Sequence, residues 1–148
     1  MTNLDIESIG KKMVGISRRL DRLLVYRSLT LEEYLQDEDR QASVERYLEV
    51  VIQAAIDINK MLIKHRENID LRPLTNAEVF TLSGTLGFIS LELAAQLSES
   101  AGFRNILAHA YDDIDHEMVY RALQVAVVQY PKYIQQIQTY LNSLEDDE

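Results

Sequence analysis

The stretch Gly102-Phe103-Arg104-Asn105-Ile106-Leu107-Ala108-His109-Ala110-Tyr111 brings together the side chains of this chain best suited to chemistry. Histidine is the side chain whose ordinary pKa, roughly 6.5, suits proton transfer near neutral pH. Arginine stays charged and forks onto phosphate oxygens, which suits the added charge of a phosphorane transition state. Together His109 and Arg104 can drive attack of an RNA 2′-hydroxyl on its neighbouring phosphate with no metal. Asn105 would be a neutral donor to the same phosphate or an orienter of the histidine. A plainer account uses the same residues. Arg and His near a helix C-terminus interact well with its dipole, and Tyr111 can simply close the core. The residue types alone leave both accounts open.

Position decides what these residues can do together. Arg104 and His109 are five residues apart, which on an ideal helix turns them about 140° from each other. They converge only if the helix ends or distorts between them. The apolar repeat Leu91, Ala94, Leu97 and Ala101 predicts a helix continuing to about Leu107. His109 and Tyr111 would then lie on one side of an extended helix-to-helix junction, with Arg104 a turn behind. Transesterification needs a base and an acid, yet the motif offers one histidine. A two-fold axis beside the motif would supply the second from a partner copy. His116 is a rival within the chain, ranked lower because a solvated histidine is expected at the first turn of a helix. His65 reads as a helix-end cation.

The rest of the chain predicts helices throughout. Four long segments show helical periodicity, the first through Ile6, Ile9, Met13, Ile16, Leu20 and Leu23. Thr30 can cap a short turn over Leu31 to Leu35. The second long stripe runs Val44, Leu48, Val51, Ala55, Ile58, Leu62 and ends in Lys64, His65 and Arg66, before Pro73 breaks the chain. Thr75-Asn76-Ala77-Glu78 has capping-box spacing and opens a short helix that dies near Gly84 or Gly87. Ser90 restarts the third long helix. Asp115 caps the last, striped by Val119, Leu123, Val127, Tyr130, Ile134, Ile137 and Leu141, with a kink expected at Pro131. The expected fold is all-α: an antiparallel four-helix bundle with an extra short helix, one domain over residues 1–148, its acidic tail from about 144 disordered. Leftover apolar surface would favour dimerisation.

Composition sets the outer limits. Of 148 residues, 47% are hydrophobic and 26% charged, the balance of a globular domain. Five glycines, two prolines and no alternating pattern disfavour strands. The absence of cysteine excludes disulfides and thiolate chemistry and suits a reducing cytoplasm. Met1 to Ser8 has no apolar run of a signal peptide, and no stretch reaches the roughly 18 apolar residues of a membrane span. The net charge of −9 sits awkwardly with RNA as a partner. Its distribution softens the objection, since Lys11, Lys12, Arg18, Arg19, Arg22 and Arg27 face the single acid Asp21 between Ser8 and Ser28. Most of these six read as a solvated helix face.

Arg-Asn-x-x-x-His-x-Tyr, here Arg104, Asn105, His109 and Tyr111, resembles the signature of the HEPN family. The trailing x-Tyr and the Gly102-Phe103 lead-in are similar to its HepT branch, and the motif stands before the last long helix as it does there. Ala110 departs from a common glycine, which bears on loop geometry alone. The resemblance implies a homodimer, with an endoribonuclease site in a cleft shared by two motifs. It implies Arg104 and His109 as catalytic residues, Asn105 in support, and neither metal nor cofactor. It also implies a toxin paired with a small nucleotidyltransferase antitoxin that attaches AMP to Tyr111. The expected partners are thus RNA, a second copy and the antitoxin, with no DNA and no membrane.

Other chemistry is poorly supported. Asp113-Ile114-Asp115 looks like the paired carboxylates of a nucleotidyltransferase, but no Gly-Ser loop precedes it. Asp112, Asp113 and Asp115 could hold Mg²⁺, though helix capping is the simpler account. Two alternatives stand beside the nuclease. One is a non-catalytic HEPN module that binds nucleotide or RNA or docks a nucleotidyltransferase. The other is a plain helical dimerisation protein with a chance motif.

Overall fold

The computed structural model describes residues 4–109 and 113–146. Six helices follow one another: α1 (Ile6–Arg27), α2 (Leu31–Leu35), α3 (Glu38–Glu67), α4 (Asn76–Thr85), α5 (Leu91–His109) and α6 (His116–Asp146). The four long ones form the bundle, with α2 and α4 as short insertions. α3 is its spine and touches every other helix. Most of the stripes read from the sequence are buried, including Ile9, Met13, Ile16, Leu20 and Leu23 of α1, whereas Ile6 at its start is half-exposed. On α3 the buried set includes Val44, Leu48, Val51, Ala55, Ile58 and Leu62.

The caps explain where the helices begin. Thr30 and Thr75 both form capping boxes, with Glu33 and Glu78 returning a carboxylate to the cap backbone N–H. The Asp37 side chain opens α3 by accepting from the Arg40 N–H. Ser90 Oγ accepts the Leu93 N–H at 3.1 Å, and Asp115 Oδ1 accepts the N–H groups of Glu117 and Met118. Asp115 is therefore committed to opening α6.

α3 stops at Glu67, directly after the expected cations Lys64, His65 and Arg66, because Asn68 adopts the left-handed conformation (φ 49°), ahead of Pro73. Two boundaries differ from expectation. α5 continues to His109, two residues beyond the expected end, so His109 closes a helix instead of standing on an extended junction. Nothing between Arg104 and Ala108 breaks a helix, and Leu107 packs on the core. α6 runs through Asp146, so the tail expected to be disordered is helical that far, held by Leu141 and Leu144 against the core. α6 also runs through Pro131.

Two features lock α5 in place. Gly84 lets α4 approach it closely, since a Cβ there would lie 2.5 Å from Ala94 Cβ. On the other side, the hydroxyls of Ser100 and Tyr130 are 2.9 Å apart, joining α5 to α6. The Tyr133 hydroxyl lies 2.7 Å from Asn59 Oδ1 and 3.1 Å from the Ala55 carbonyl, tying α6 to the spine.

Candidate functional site

The last two turns of α5 carry the motif. Phe103 and Leu107 pack against the core and hold the helix down, which fixes the directions of the polar residues between them. Arg104 is half-buried, while Asn105 and His109 are exposed. The unbroken helix keeps Arg104 and His109 about 140° apart, so one chain does not bring them together. Tyr111, with Ala110 and Asp112, lies outside the described residues. Asp113, beyond them, is exposed.

Arg104 is poorly satisfied. Its Nη1 reaches Asn105 Oδ1 at only 3.3 Å, and its Nε is sealed from solvent with no acceptor among the described residues. A buried donor left unmet costs about 1–3 kcal/mol, more when charged, so an acceptor placed there would stabilise the guanidinium. It lines a polar trough of about 320 Å³ that runs from α1 across α3 to α5, together with Lys12, Arg46, Glu49, Gln53 and Asp57.

On another side of α5 lies an apolar groove of about 570 Å³ between α3, α5 and α6. Leu48 and Ile52 form its floor, and Phe103, Ile106, Met118 and Val125 its walls. Ile106, Met118 and Val125 are each more than 40% exposed, an unusual outlay of apolar surface beside a polar motif.

His116 is not the solvated histidine expected. It opens α6, and its Nδ1 lies 3.5 Å from Glu45 Oε2 on α3, close but not aligned as a hydrogen bond. Burial raises the Glu45 carboxyl above its ordinary range, and His116 opposes that rise. Beneath them the Tyr34 hydroxyl is buried, and desolvation first and Glu45 second push its pKa up. No local spacing marks this contact, because His116 and Glu45 lie far apart in the chain, on different helices. His65 lies in the last turn of α3 with Lys64 and Arg66, as expected of a helix-end cation.

An all-α bundle with an Arg-Asn-x-x-x-His motif closing the helix before the last one defines a HEPN-type protein. Comparison with known proteins agrees. The sequence profile of the family described as Ribonuclease HepT-like matches residues 16–137, and the chain belongs to that family. It is 38% identical over 147 residues, 99% of both chains, to the tRNA nuclease HepT of Aphanizomenon flos-aquae (strain 2012/KM1/D3). Among solved structures it resembles a chain of the tri-AMPylated Shewanella oneidensis HEPN toxin in complex with MNT antitoxin. The TM-score there is 0.77 at 24% identity, over 94% of this chain and 99% of that one. The cytosolic protein YutE of Bacillus subtilis superposes with a TM-score of 0.82 at 17% identity, over 97% of this chain and 94% of the other. These structural likenesses show the fold. Among the described residues no helix is long and apolar enough to cross a membrane.

Proposed function

We propose that this ribonuclease is a metal-independent endoribonuclease, the toxin of a toxin–antitoxin pair, working as a homodimer with Arg104 and His109 of both copies around one groove. The observation that carries the proposal is Arg104: a half-buried cation whose Nε has no acceptor among the described residues, on the turn before His109. The tRNA nuclease relative, aligned end to end, supports an RNA substrate. The dimer is supported by the apolar groove on the motif helix and by the divergence of Arg104 and His109 within one chain.

In this mechanism His109 of one protomer accepts the 2′-hydroxyl proton as O2′ attacks the adjacent phosphorus. The new P–O2′ bond forms as the P–O5′ bond breaks. Arg104 holds the charge gathering on the non-bridging oxygens, and Asn105 supports it by a hydrogen bond. His109 of the other protomer protonates the departing O5′. The products are a 2′,3′-cyclic phosphate and a 5′-hydroxyl.

Control falls to a nucleotidyltransferase antitoxin that transfers AMP from ATP to the Tyr111 oxygen, the new P–O bond forming as the bond to the departing pyrophosphate breaks. The tyrosine distribution supports this assignment. Seven of the eight tyrosines, Tyr26, Tyr34, Tyr47, Tyr120, Tyr130, Tyr133 and Tyr140, are buried in the core or packed against it. Tyr111, two positions after His109 in the sequence, is the eighth. An attached phosphodiester would put bulk and negative charge where the RNA phosphate must enter, and Arg104 would be drawn to it.

The test is cleavage of RNA by purified protein in excess EDTA, with end-group analysis. The expected result is 2′,3′-cyclic phosphate ends, lost in His109→Ala and Arg104→Ala. Cutting that survives His109→Ala, or that stops with EDTA, would overturn the mechanism.

A further inference from the structure

We infer that the trough across α3 is a second phosphate-binding site for the RNA strand, in which Lys12 and Arg46 hold backbone phosphates flanking the one that Arg104 engages. The inference rests on the nuclease reading above and extends it to residues outside the motif. Lys12 comes from α1, Arg46 from the first half of α3 and Arg104 from α5, so three cations from three helices share one depression. α3 separates the outer two, a span of about one helix diameter, roughly 10–12 Å. Such a span gives an extended polyanion more than one point of contact.

The charges are held loosely. Lys12 Nζ stands 4.0 Å from Asp57 Oδ2, and Arg46 Nη1 stands 3.4 Å from Glu49 Oε2. Both pairs are long and partly exposed, a class of contact that contributes little to stability. Exchanging a carboxylate for a phosphate oxygen therefore costs these cations little, and the Arg104 Nε would gain an acceptor, of which it has none among the described residues. Glu49 and Asp57 meanwhile keep the trough from holding polyanions too tightly. The arrangement also resolves the conflict between a net charge of −9 and an RNA substrate. Attraction is local, set by three cations in one place, and the outer-face cations Arg18 and Arg22 of α1 do not line it.

The experiment measures binding of the full-length protein to a fluorescent single-stranded RNA oligonucleotide. The RNA is 2′-O-methylated so that it cannot be cut, and anisotropy is read over a series of salt concentrations. Lys12→Gln and Arg46→Gln should each weaken binding by about threefold to tenfold and lower the salt slope by about 0.7, as one lost phosphate contact does on a single strand. Glu49→Gln with Asp57→Asn should tighten binding several-fold, an effect that a purely structural role would not produce. Arg18→Gln and Arg22→Gln should stay within about twofold of the parent. Circular dichroism confirms that every variant is folded.

The inference is overturned if Arg18→Gln weakens binding as much as Lys12→Gln, because only net charge would then matter. It is overturned alone, with the nuclease intact, if the parent cuts RNA and the trough variants bind it unchanged. Trough variants that keep RNA affinity but no longer co-purify with the nucleotidyltransferase would assign the trough to that protein. A parent that neither binds nor cuts RNA would remove the inference together with the nuclease reading.

Discussion

The middle of the bundle and the end of α5 treat polar side chains in opposite ways. In the middle, Tyr133 meets Asn59 and Ala55, and Tyr130 meets Ser100, all within 3.1 Å. Burial pushes both phenol pKa values up, so they act there as neutral hydrogen-bonding groups. Only Asn59 Nδ2 among these side chains is left without a partner. At the end of α5, Arg104 Nε has no acceptor among the described residues and His109 is exposed, while at the start of α6 His116 sits beside Glu45 without alignment. The first region uses its polar groups to fix helix positions. The second leaves donors unmet, which costs stability and makes sense where an anion is to be bound.

Mutations should separate the two regions. The largest stability loss is expected in the scaffold: Phe80→Ala, at a fully buried ring, should cost about 3–5 kcal/mol by urea unfolding. Its activity per folded molecule should be unchanged. Arg104→Ala should do the reverse, adding on the order of 3 kcal/mol to the barrier, about a hundredfold in rate, with the melting temperature nearly constant. If Arg104→Ala proved as destabilising as Phe80→Ala, the contrast between scaffold and site would fail. Next, Tyr133→Phe should cost about 1–3 kcal/mol, since it strips the buried Asn59 oxygen of its donor. An unchanged midpoint would show that this contact does not hold α6 to the spine.

The smallest effect is a pH dependence. Burial raises the Glu45 pKa in the folded state. A raised carboxyl contributes stability below its unfolded pKa and loses it as pH rises through the folded value. Glu33, lowered by the Thr30 capping contacts, has the opposite sign: its contribution is present above the unfolded pKa and fades as pH falls through the folded one. Glu45→Gln should therefore raise the melting temperature at neutral pH relative to the parent and lose that advantage in acid. Thr30→Ala should cost about 1 kcal/mol near neutrality and less in acid. Melting curves across pH check both directions.

Much of this was legible in the sequence. The stripes on α1, α3 and α6, the cap at Thr30, the capping box at Thr75 and the cap at Asp115 are local patterns, and local patterns survive folding. The motif was visible because its residues are close along the chain. The end of α3 was legible in the cations Lys64, His65 and Arg66, although the stop itself is Asn68 in the left-handed conformation, which no local pattern marked. The end of α5 was placed short because a functional motif suggests a loop, while its apolar residues favour helix. The trough was not legible at all. Lys12, Arg46 and Arg104 have no shared spacing, and only the packing of α1 and α5 on the spine assembles them. For the same reason Lys12 could not be told from the rest of the α1 cations.

The shared site is the claim on which most depends, and dilution tests it directly. Parent chains are co-expressed with increasing amounts of His109→Ala, and cutting in EDTA is measured per parent chain. If both histidines of a dimer are needed, activity per parent chain should fall toward zero as parent chains enter mixed dimers. Constant activity per parent chain at every ratio would show that each protomer works alone, contradicting the two-copy site.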